Sequence, residues 1–267
     1  RGRYMEIGSF IDDFDVNEAK IILSYLLDES LGTINRKWND HVDKTVYYKF
    51  KDIKDKRQAG YPLQYAIGKW NFYGYDFIVD EGVLIPRPET ELLVEKILGE
   101  DLTDKKILDI GTGSGAIALV LDLESQAQVK AVDISKKALA IAEKNKESLG
   151  GQVDFIHSDL YEKVEDKFDI IVSNPPYISE KDYLNLEEEL YYEPKIALYG
   201  GKKGYEIYEK IIDRARDYLE KDGKIFLEIG YDQKDYLVSY LENNGFGKVE
   251  TYKDYNNFDR IIVATLN

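Results

Sequence analysis

The second half of the chain alternates short apolar runs with longer stretches that carry apolar residues at helical spacing. Each run is rich in β-branched residues and is bounded by turn residues, which is typical of a buried strand. Strands that alternate with helices indicate a doubly wound sheet, so the pattern predicts an α/β fold. The predicted strands are Lys106–Ile110, Gln128–Asp133, Val153–Ile156, Phe168–Ser173, Gly223–Ile229, Lys248–Tyr252 and Arg260–Leu266. The predicted helices include Ala116–Leu123, Lys136–Ser148 and Gly204–Leu219.

The first 60 residues follow a helical pattern throughout. Asp15 and Glu18 resemble a capping box, and two apolar stripes at helical spacing come before Gly60, which ends the segment. We therefore predict a small helical domain over residues 1–60, in which the stripes are packing faces. The stripes consist of Ile21, Ile22, Tyr25 and Leu26, and of Val46, Phe50 and Ile53.

An aromatic, β-prone stretch, Tyr61–Phe77, joins the two patterns. Because it carries Gly74 between aromatic residues, it predicts a β-hairpin linker within residues 61–84. Arg87 follows and is held between two prolines, so we expect it to line a site. The linker leads into a second domain over residues 85–267.

A proline-rich turn follows the apolar strand Phe168–Ser173. Its two prolines stop the hydrogen-bond ladder, because neither has an N–H group to donate. The turn then lies at the carboxyl end of a central strand, where open α/β sheets bind ligands. Its rigid carbonyl groups are suited to accept hydrogen bonds from both N–H groups of a planar –NH2 group whose nitrogen is alkylated. The alternative is a turn that only ends the strand. We name this segment the proline loop; it consists of Asn174, Pro175, Pro176 and Tyr177.

A second segment, residues 111–115, connects the first predicted strand of the sheet to a helix; we name it the glycine loop. Its three glycines allow a tight turn close to a ligand, and the helix that follows offers free N–H groups. Asp133 ends the next strand, where a carboxylate can hold a ribose diol. The spacing also fits a dinucleotide fingerprint loosely, so a nicotinamide enzyme is an alternative. Asp109 favours S-adenosylmethionine instead, because the ammonium group of that cofactor needs an acceptor.

The cofactor site is predicted to extend to the next strand end as well. Asp159 offers an acceptor for the adenine amino group and Leu160 an apolar wall for the ring; a helix or turn cap is the alternative role of Asp159. The predicted cofactor-binding residues are Asp109, Gly111, Thr112, Gly113, Ser114, Gly115, Asp133, Asp159, Leu160 and Asn174.

Composition narrows the classes of function. The formal net charge of −15 disfavours broad contact with a nucleic-acid backbone. The chain has no cysteine, and its two histidines, His41 and His157, are isolated, so we predict no metal site. No apolar run is long enough to span a membrane, and we expect a soluble, cytoplasmic protein.

With these segments in place, the chain resembles the HemK/PrmC family, the glutamine-N5 methyltransferases of peptide-chain release factors. That family has an N-terminal helical bundle, a β-hairpin linker and a Rossmann-like, S-adenosylmethionine-dependent methyltransferase domain. One departure is Lys202-Lys203 before Gly204, where the family commonly has an acidic residue. The matching residues are Pro62–Tyr65, Gly68, Ile85–Glu91, Asp109, the glycine loop, Asp133, the proline loop, Glu193, Pro194, Ala197, Leu198, Gly200, Gly201, Asp259 and Arg260.

The resemblance implies methyl transfer to the side-chain nitrogen of the glutamine in the Gly-Gly-Gln motif of class-1 release factors. Asn174 and Pro175 are then expected to hold the reacting amide, with Tyr177 beside the substrate side chain; these three are the implied catalytic residues. Pro176 and Arg87 complete the implied substrate site. We further expect residues 1–60 to recognise the release factor, and the protein to be a monomer.

Two alternatives stay open at this point. The same proline loop occurs in N6-adenine methyltransferases of DNA or RNA, which would require a flipped base to reach the pocket. A methyltransferase-like fold that only binds a partner is the second alternative. The acidic charge argues against the first, and the intact glycines with Asp133 and Asn174 argue against the second.

Overall fold

The computed structural model describes residues 3–11 and 13–267. Arg1, Gly2 and Asp12, which fall in the predicted helical domain, lie outside the described residues. The chain forms two compact units. The first consists of Arg1–Lys69 and Glu188–Tyr192, and the second of Trp70–Glu187 and Glu193–Asn267. The boundaries predicted after residues 60 and 84 stay predictions.

The first unit is mainly helical. Asp15 accepts hydrogen bonds from the backbone N–H groups of Asn17 and Glu18, both at 2.9 Å, which confirms the predicted start of the first helix. Ile22 and Phe50 from the two predicted stripes are fully buried in one core. A pair of three-residue strands was not predicted, because so short a segment shows no periodicity. The elements are β1 Tyr4–Glu6, α1 Val16–Leu27, α2 Leu31–Arg36, β2 His41–Asp43, α3 Lys44–Gln58 and α4 Leu63–Ile67.

The predicted hairpin is present but shorter than the aromatic stretch. Its strands are β3, Lys69–Phe72, and β4, Tyr75–Ile78. The turn places Tyr73 at φ 52° and Gly74 at φ 82°, the left-handed geometry of a two-residue hairpin turn. The β-prone interpretation of the preceding residues was wrong, because they form α4 and Leu63 is buried in the first unit's core.

The second unit contains a seven-stranded sheet, which confirms the predicted fold class. Its order is β10-β11-β9-β8-β5-β6-β7. The strands from β9 to β7 pair in parallel, and β11 pairs antiparallel with both β9 and β10. The strands are β5 Lys106–Ile110, β6 Gln128–Asp133, β7 Asp154–His157, β8 Phe168–Ser173, β9 Leu219–Glu228, β10 Phe246–Lys253 and β11 Asp259–Leu266.

Helices cover both faces of this sheet. Because side chains alternate along a strand, Ile107 and Leu108 of β5 point to opposite faces, and each is fully buried in a different apolar cluster. The helices of the second unit are α5 Pro88–Leu98, α6 Ala116–Glu124, α7 Lys136–Leu149, α8 Glu180–Tyr183, α9 Lys195–Leu198, α10 Glu206–Tyr218 and α11 Lys234–Asn243. Pro88 is the first residue of α5.

The sheet register brings three chain segments to one edge. Ile110 at the end of β5 lies opposite Val132 of β6 on one side and Ser173 of β8 on the other. The glycine loop, Asp133 and the proline loop therefore all begin at the carboxyl edge of adjacent strands, which is where doubly wound sheets bind ligands.

Candidate active site

A cavity of about 290 Å³ lies at this carboxyl edge. Most of its wall is apolar, with a few carboxylates, hydroxyls and carbonyl groups exposed to it, as expected for a small-molecule site. Eight of the predicted site residues line it: Gly111, Gly113, Asp133, Asp159, Leu160, Asn174, Pro175 and Pro176. Lining residues that the sequence did not single out include Val83, Leu84, Ser135, Ile196, Ile207 and Lys210.

The glycine loop turns sharply beneath the cavity. Gly111 and Gly113 have φ values of +73° and +57°, and a Cβ added at either would point into open space. Gly115 has φ +82°, and a Cβ there would lie only 2.9 Å from the Phe155 ring. The first two glycines therefore leave room for a ligand, while the third allows close packing at the start of α6.

Asp133 holds the glycine loop in this shape. One carboxylate oxygen accepts the backbone N–H of Gly113 at 2.8 Å, and the other accepts that of Ser135 at 2.8 Å. Burial raises the pKa of Asp133, and the two backbone hydrogen bonds act against this shift. Each oxygen keeps a second lone pair, so the carboxylate can also accept hydrogen bonds from a ligand hydroxyl in the cavity.

Asp109 lies behind the glycine loop and is fully buried. Thr112 donates its hydroxyl hydrogen to Asp109 Oδ2 at 2.7 Å, while Oδ1 is buried with no hydrogen-bond partner. Burial, with a smaller contribution from the negative charge of the nearby Asp133, raises the pKa of Asp109 to about 7, and the Thr112 hydrogen bond acts against this shift. Among the predicted cofactor residues, Asp109, Thr112, Ser114 and Gly115 are absent from the cavity wall.

The buried side chain of Asn145, in α7, ties the glycine loop to the hairpin. Its amide nitrogen donates to the carbonyls of Ser114 at 2.9 Å and Ile78 at 3.1 Å. Its oxygen accepts the backbone N–H of Ile78 at 2.7 Å. This residue was not predicted from the sequence, because a lone Asn inside a helix carries no signal of the contacts it makes across the fold.

The third strand end supplies the far wall of the cavity. Asp159 is exposed, and Leu160 has φ +47°, an uncommon value for a leucine. Ser158 donates its hydroxyl hydrogen to the Leu160 carbonyl at 2.9 Å and stabilises this turn. The turn thus brings a carboxylate and an apolar side chain to the same wall.

The proline loop is held by side chains behind it. Asn174 Nδ2 donates to the Thr90 hydroxyl at 3.3 Å, and Thr90 donates to Glu228 Oε2 at 2.7 Å. Thr90 lies in the first turn of α5, and Glu228 ends β9, the neighbour of β8 in the sheet. No sequence pattern indicated a role for Thr90 or Glu228.

A neighbouring turn braces the backbone of the proline loop. The N–H of Ile178 donates to the Leu198 carbonyl and the N–H of Gly200 donates to the Ile178 carbonyl, both at 2.9 Å. A Cβ on Gly200 would lie 2.6 Å from the Pro176 oxygen, and one on Gly204 would lie 2.6 Å from the Tyr177 oxygen. Only glycine permits so close an approach of two backbone segments.

Two predicted substrate residues lie outside the cavity wall. Arg87 forms an ion pair with the buried carboxylate of Glu193, whose other oxygen accepts the N–H of Ile85 at 2.9 Å. Tyr177 is half-buried and packs against the apolar cluster on one face of the sheet, and burial raises its pKa to about 12. Contact of either residue with a substrate stays a prediction.

Within residues 3–11 and 13–267, no group of three or more His, Asp or Glu side chains could hold a metal ion. Over the same residues, no helix is long and apolar enough to cross a membrane.

Comparison with known proteins first defines the class. Residues 87–201 match the family described as methyltransferase small domain. A methyltransferase from Pyrococcus furiosus has a similar fold, with a TM-score of 0.60 at 22% identity over 79% of this chain and 98% of that one. Fold and site together define a Rossmann-like methyltransferase.

Closer relatives then define the family. The release factor glutamine methyltransferase of Clostridium acetobutylicum is 38% identical over 264 residues, which cover 95% of this chain and 92% of that protein. That of Streptococcus pneumoniae is 46% identical over 218 residues, covering 80% and 78%. The chain belongs to the release factor glutamine methyltransferase family.

Proposed function

We propose that this enzyme transfers a methyl group from S-adenosylmethionine to the side-chain amide nitrogen of the glutamine in the Gly-Gly-Gln motif of class-1 release factors. The observation that carries the proposal is the arrangement of Asn174 and Pro175 at the cavity wall, with Asn174 Nδ2 directed to Thr90. This arrangement leaves carbonyl acceptors for a donor-rich, planar –NH2 group.

The residues around the glycine loop fit the cofactor. Gly111 and Gly113 leave open space at the cavity, Asp133 offers lone pairs for ribose hydroxyls, and Asp159 with Leu160 forms a wall suited to adenine. The assignment of Asp109 to the ammonium group stays a prediction, because its carboxylate is fully buried behind the glycine loop and is not part of the cavity wall. When bound, the cofactor supplies a methyl group on a positively charged sulfur.

The proline loop performs the chemistry by positioning. A primary amide nitrogen is a poor nucleophile, because its lone pair is delocalised into the carbonyl group. Asn174 Oδ1 and the Pro175 carbonyl accept hydrogen bonds from the two N–H groups of the substrate amide. These contacts orient the amide nitrogen and stabilise the positive charge that develops on it. The methylated amide is then acidic enough to lose its extra proton to water, so the mechanism needs no strong general base.

Where the structure describes the N-terminal unit, it has packing stripes and no cluster of side chains suited to catalysis, so we assign the unit to recognition of the release factor. A chain that begins at Lys69 should bind the release factor more weakly and keep its affinity for the cofactor, and the retained cofactor binding reports that the rest has folded. Unchanged affinity for the release factor would contradict this assignment. A substrate from the translation apparatus also implies a cytoplasmic location, and we keep the monomeric state as a prediction.

Labelled S-adenosylmethionine tests the acceptor. The enzyme is incubated with a release factor, with the same factor carrying alanine in place of the motif glutamine, with DNA and with RNA. Label should enter only the unmodified release factor. Equal labelling of the alanine variant would show that the acceptor is a different residue, and labelling of DNA or RNA alone would favour an N6-adenine methyltransferase.

A further inference from the structure

We infer that Thr90 and Glu228 are positioning residues for the transfer, because together they determine which end of the Asn174 amide faces the substrate. The inference rests on the proposed function, since it concerns how the amide acceptor is presented. The three side chains come from separate parts of the chain and meet behind the proline loop.

The contacts form an ordered series of donors and acceptors. Thr90 and Glu228 are 5% and 2% exposed, so water has little access to their hydrogen bond. The Tyr208 hydroxyl, itself fully buried, donates to the backbone carbonyl of Glu228 at 2.6 Å and holds the end of β9 in place. Asn174 is only partly buried and reaches from this network to the cavity.

Proton counting fixes the direction of the series. A hydroxyl group has one hydrogen to donate, and an ionised carboxylate can only accept. The hydrogen of Thr90 is therefore committed to Glu228, and Thr90 Oγ1 can interact with Asn174 only as an acceptor. Asn174 must present Nδ2 to Thr90, and its Oδ1 remains for the substrate.

The opposite orientation would be inhibitory. With the amide rotated by half a turn, Asn174 would direct its own –NH2 group at the –NH2 group of the glutamine. Two donors would then face each other in a partly dehydrated site, and a donor without an acceptor there is destabilising. The Thr90–Glu228 pair excludes this orientation without touching either substrate.

The charge of Glu228 is required for this effect. Burial raises its pKa to about 7, whereas the Thr90 hydrogen bond and the charges of Arg260 on β11 and Arg87 before α5 lower it. The negative charge of Glu89 raises the pKa of Glu228 instead. The side chains of Tyr177 and Tyr208 also lie close to the Glu228 carboxylate. Measurements at pH 8.5 keep Glu228 ionised and the direction of the series defined.

The test compares Thr90→Val, which removes the hydroxyl, with Thr90→Ser, which keeps it. Single-turnover rates are measured at saturating cofactor and release factor, at pH 8.5, with melting curves to verify that each variant is folded. We expect Thr90→Val to lose about tenfold or more in rate. Thr90→Ser should stay within about threefold of the native enzyme, and cofactor affinity should stay within about threefold in both. A Thr90→Ser loss equal to that of Thr90→Val would overturn the inference.

A double-mutant comparison separates orientation from general structural damage. If Thr90 acts through Asn174, adding Thr90→Val to Asn174→Ala should cause little further loss of rate. Additive losses would contradict the inference. A loss for Asn174→Ala with none for Thr90→Val would reject the positioning role alone, whereas no loss for Asn174→Ala would reject the proposed mechanism itself.

A binding measurement gives a readout that does not depend on turnover. Calorimetry with S-adenosylhomocysteine compares release factor carrying the motif glutamine with the alanine variant. The native enzyme should prefer the glutamine form, and Thr90→Val should lose most of that preference while Thr90→Ser keeps it. An unchanged preference in Thr90→Val would contradict the inference.

Discussion

The glycine loop and the proline loop follow adjacent strands, yet they are built by opposite means. The glycine loop is shaped by its own backbone and by the Asp133 carboxylate, which accepts the N–H of Gly113. The proline loop presents carbonyl acceptors, which are held from behind by Thr90 and from the side by Gly200.

This difference matches what each loop must recognise. The proposed cofactor has an ammonium group, two ribose hydroxyls and an adenine amino group, all of which can donate hydrogen bonds to carboxylates. The glutamine amide develops positive charge only during transfer, and neutral carbonyl groups stabilise that charge without binding the substrate as strongly beforehand. Binding of the cofactor and the rate of the transfer step should therefore be separable by substitution.

The largest expected effect comes from Asn174→Ala. The change removes an acceptor aimed at the developing charge, and by analogy with an oxyanion-hole donor the single-turnover rate should fall by about 10²–10³-fold. Cofactor affinity should change little. Asn256→Ala, at an exposed position, is the matched control and should keep the native rate.

A smaller effect, on affinity and not on rate, is expected for Asp133→Ala. Loss of a charged hydrogen bond of about 1.5–3 kcal/mol should weaken cofactor binding about ten- to a hundredfold. The change also frees the N–H groups of Gly113 and Ser135, so the upper part of this range is expected. Calorimetry measures the affinity, and Asp154→Ala, an exposed carboxylate on β7, is the control.

Gly200→Ala should disturb only the proline loop. The added Cβ would lie 2.6 Å from the Pro176 oxygen, so one of the two backbone segments must move. We expect a rate loss of about tenfold at unchanged cofactor affinity, since a shift of the proline loop misplaces the acceptors of the reacting amide. Gly99→Ala is the control, because its added Cβ would meet its nearest atom at 3.4 Å. Weaker cofactor binding in Gly200→Ala would show that the two loops are coupled.

The smallest effect is on stability and concerns Asp109. Because burial raises its pKa from 3.8 to about 7, the folded state binds more protons than the unfolded state between these values, and stability falls as pH rises through this range. Asp109→Asn removes this loss, so its Tm should exceed that of the native protein by a few degrees at pH 8.5 and match it near pH 4. An equal shift at both pH values would show that the carboxylate charge is not responsible.

The sequence predicted the sheet well because its central strands are buried on both faces. Lys106–Ile110, Gln128–Asp133 and Phe168–Ser173 are observed with the predicted bounds, and their ends bring the two loops together. The exposed edge was less well defined: β10 begins at Phe246, before the predicted Lys248, because polar residues interrupt its pattern.

The hydrogen bonds that join Asn174, Thr90 and Glu228 behind the proline loop could not be predicted from sequence patterns. Thr90 and Glu228 are 138 positions apart and are joined only by the topology of the sheet. Arg87 shows the converse: its place between two prolines indicated a site, yet its guanidinium pairs with Glu193, which the sequence could not place beside it.

In the proposed mechanism, the proline loop presents a glutamine side-chain nitrogen for methylation. The decisive experiment is fragmentation mass spectrometry of release factor treated with the native enzyme and with Asn174→Ala. We expect one added methyl group on the side-chain nitrogen of the motif glutamine with the native enzyme, and almost none at the same time point with Asn174→Ala. A methyl group on any other atom, or equal modification by both enzymes, would contradict it.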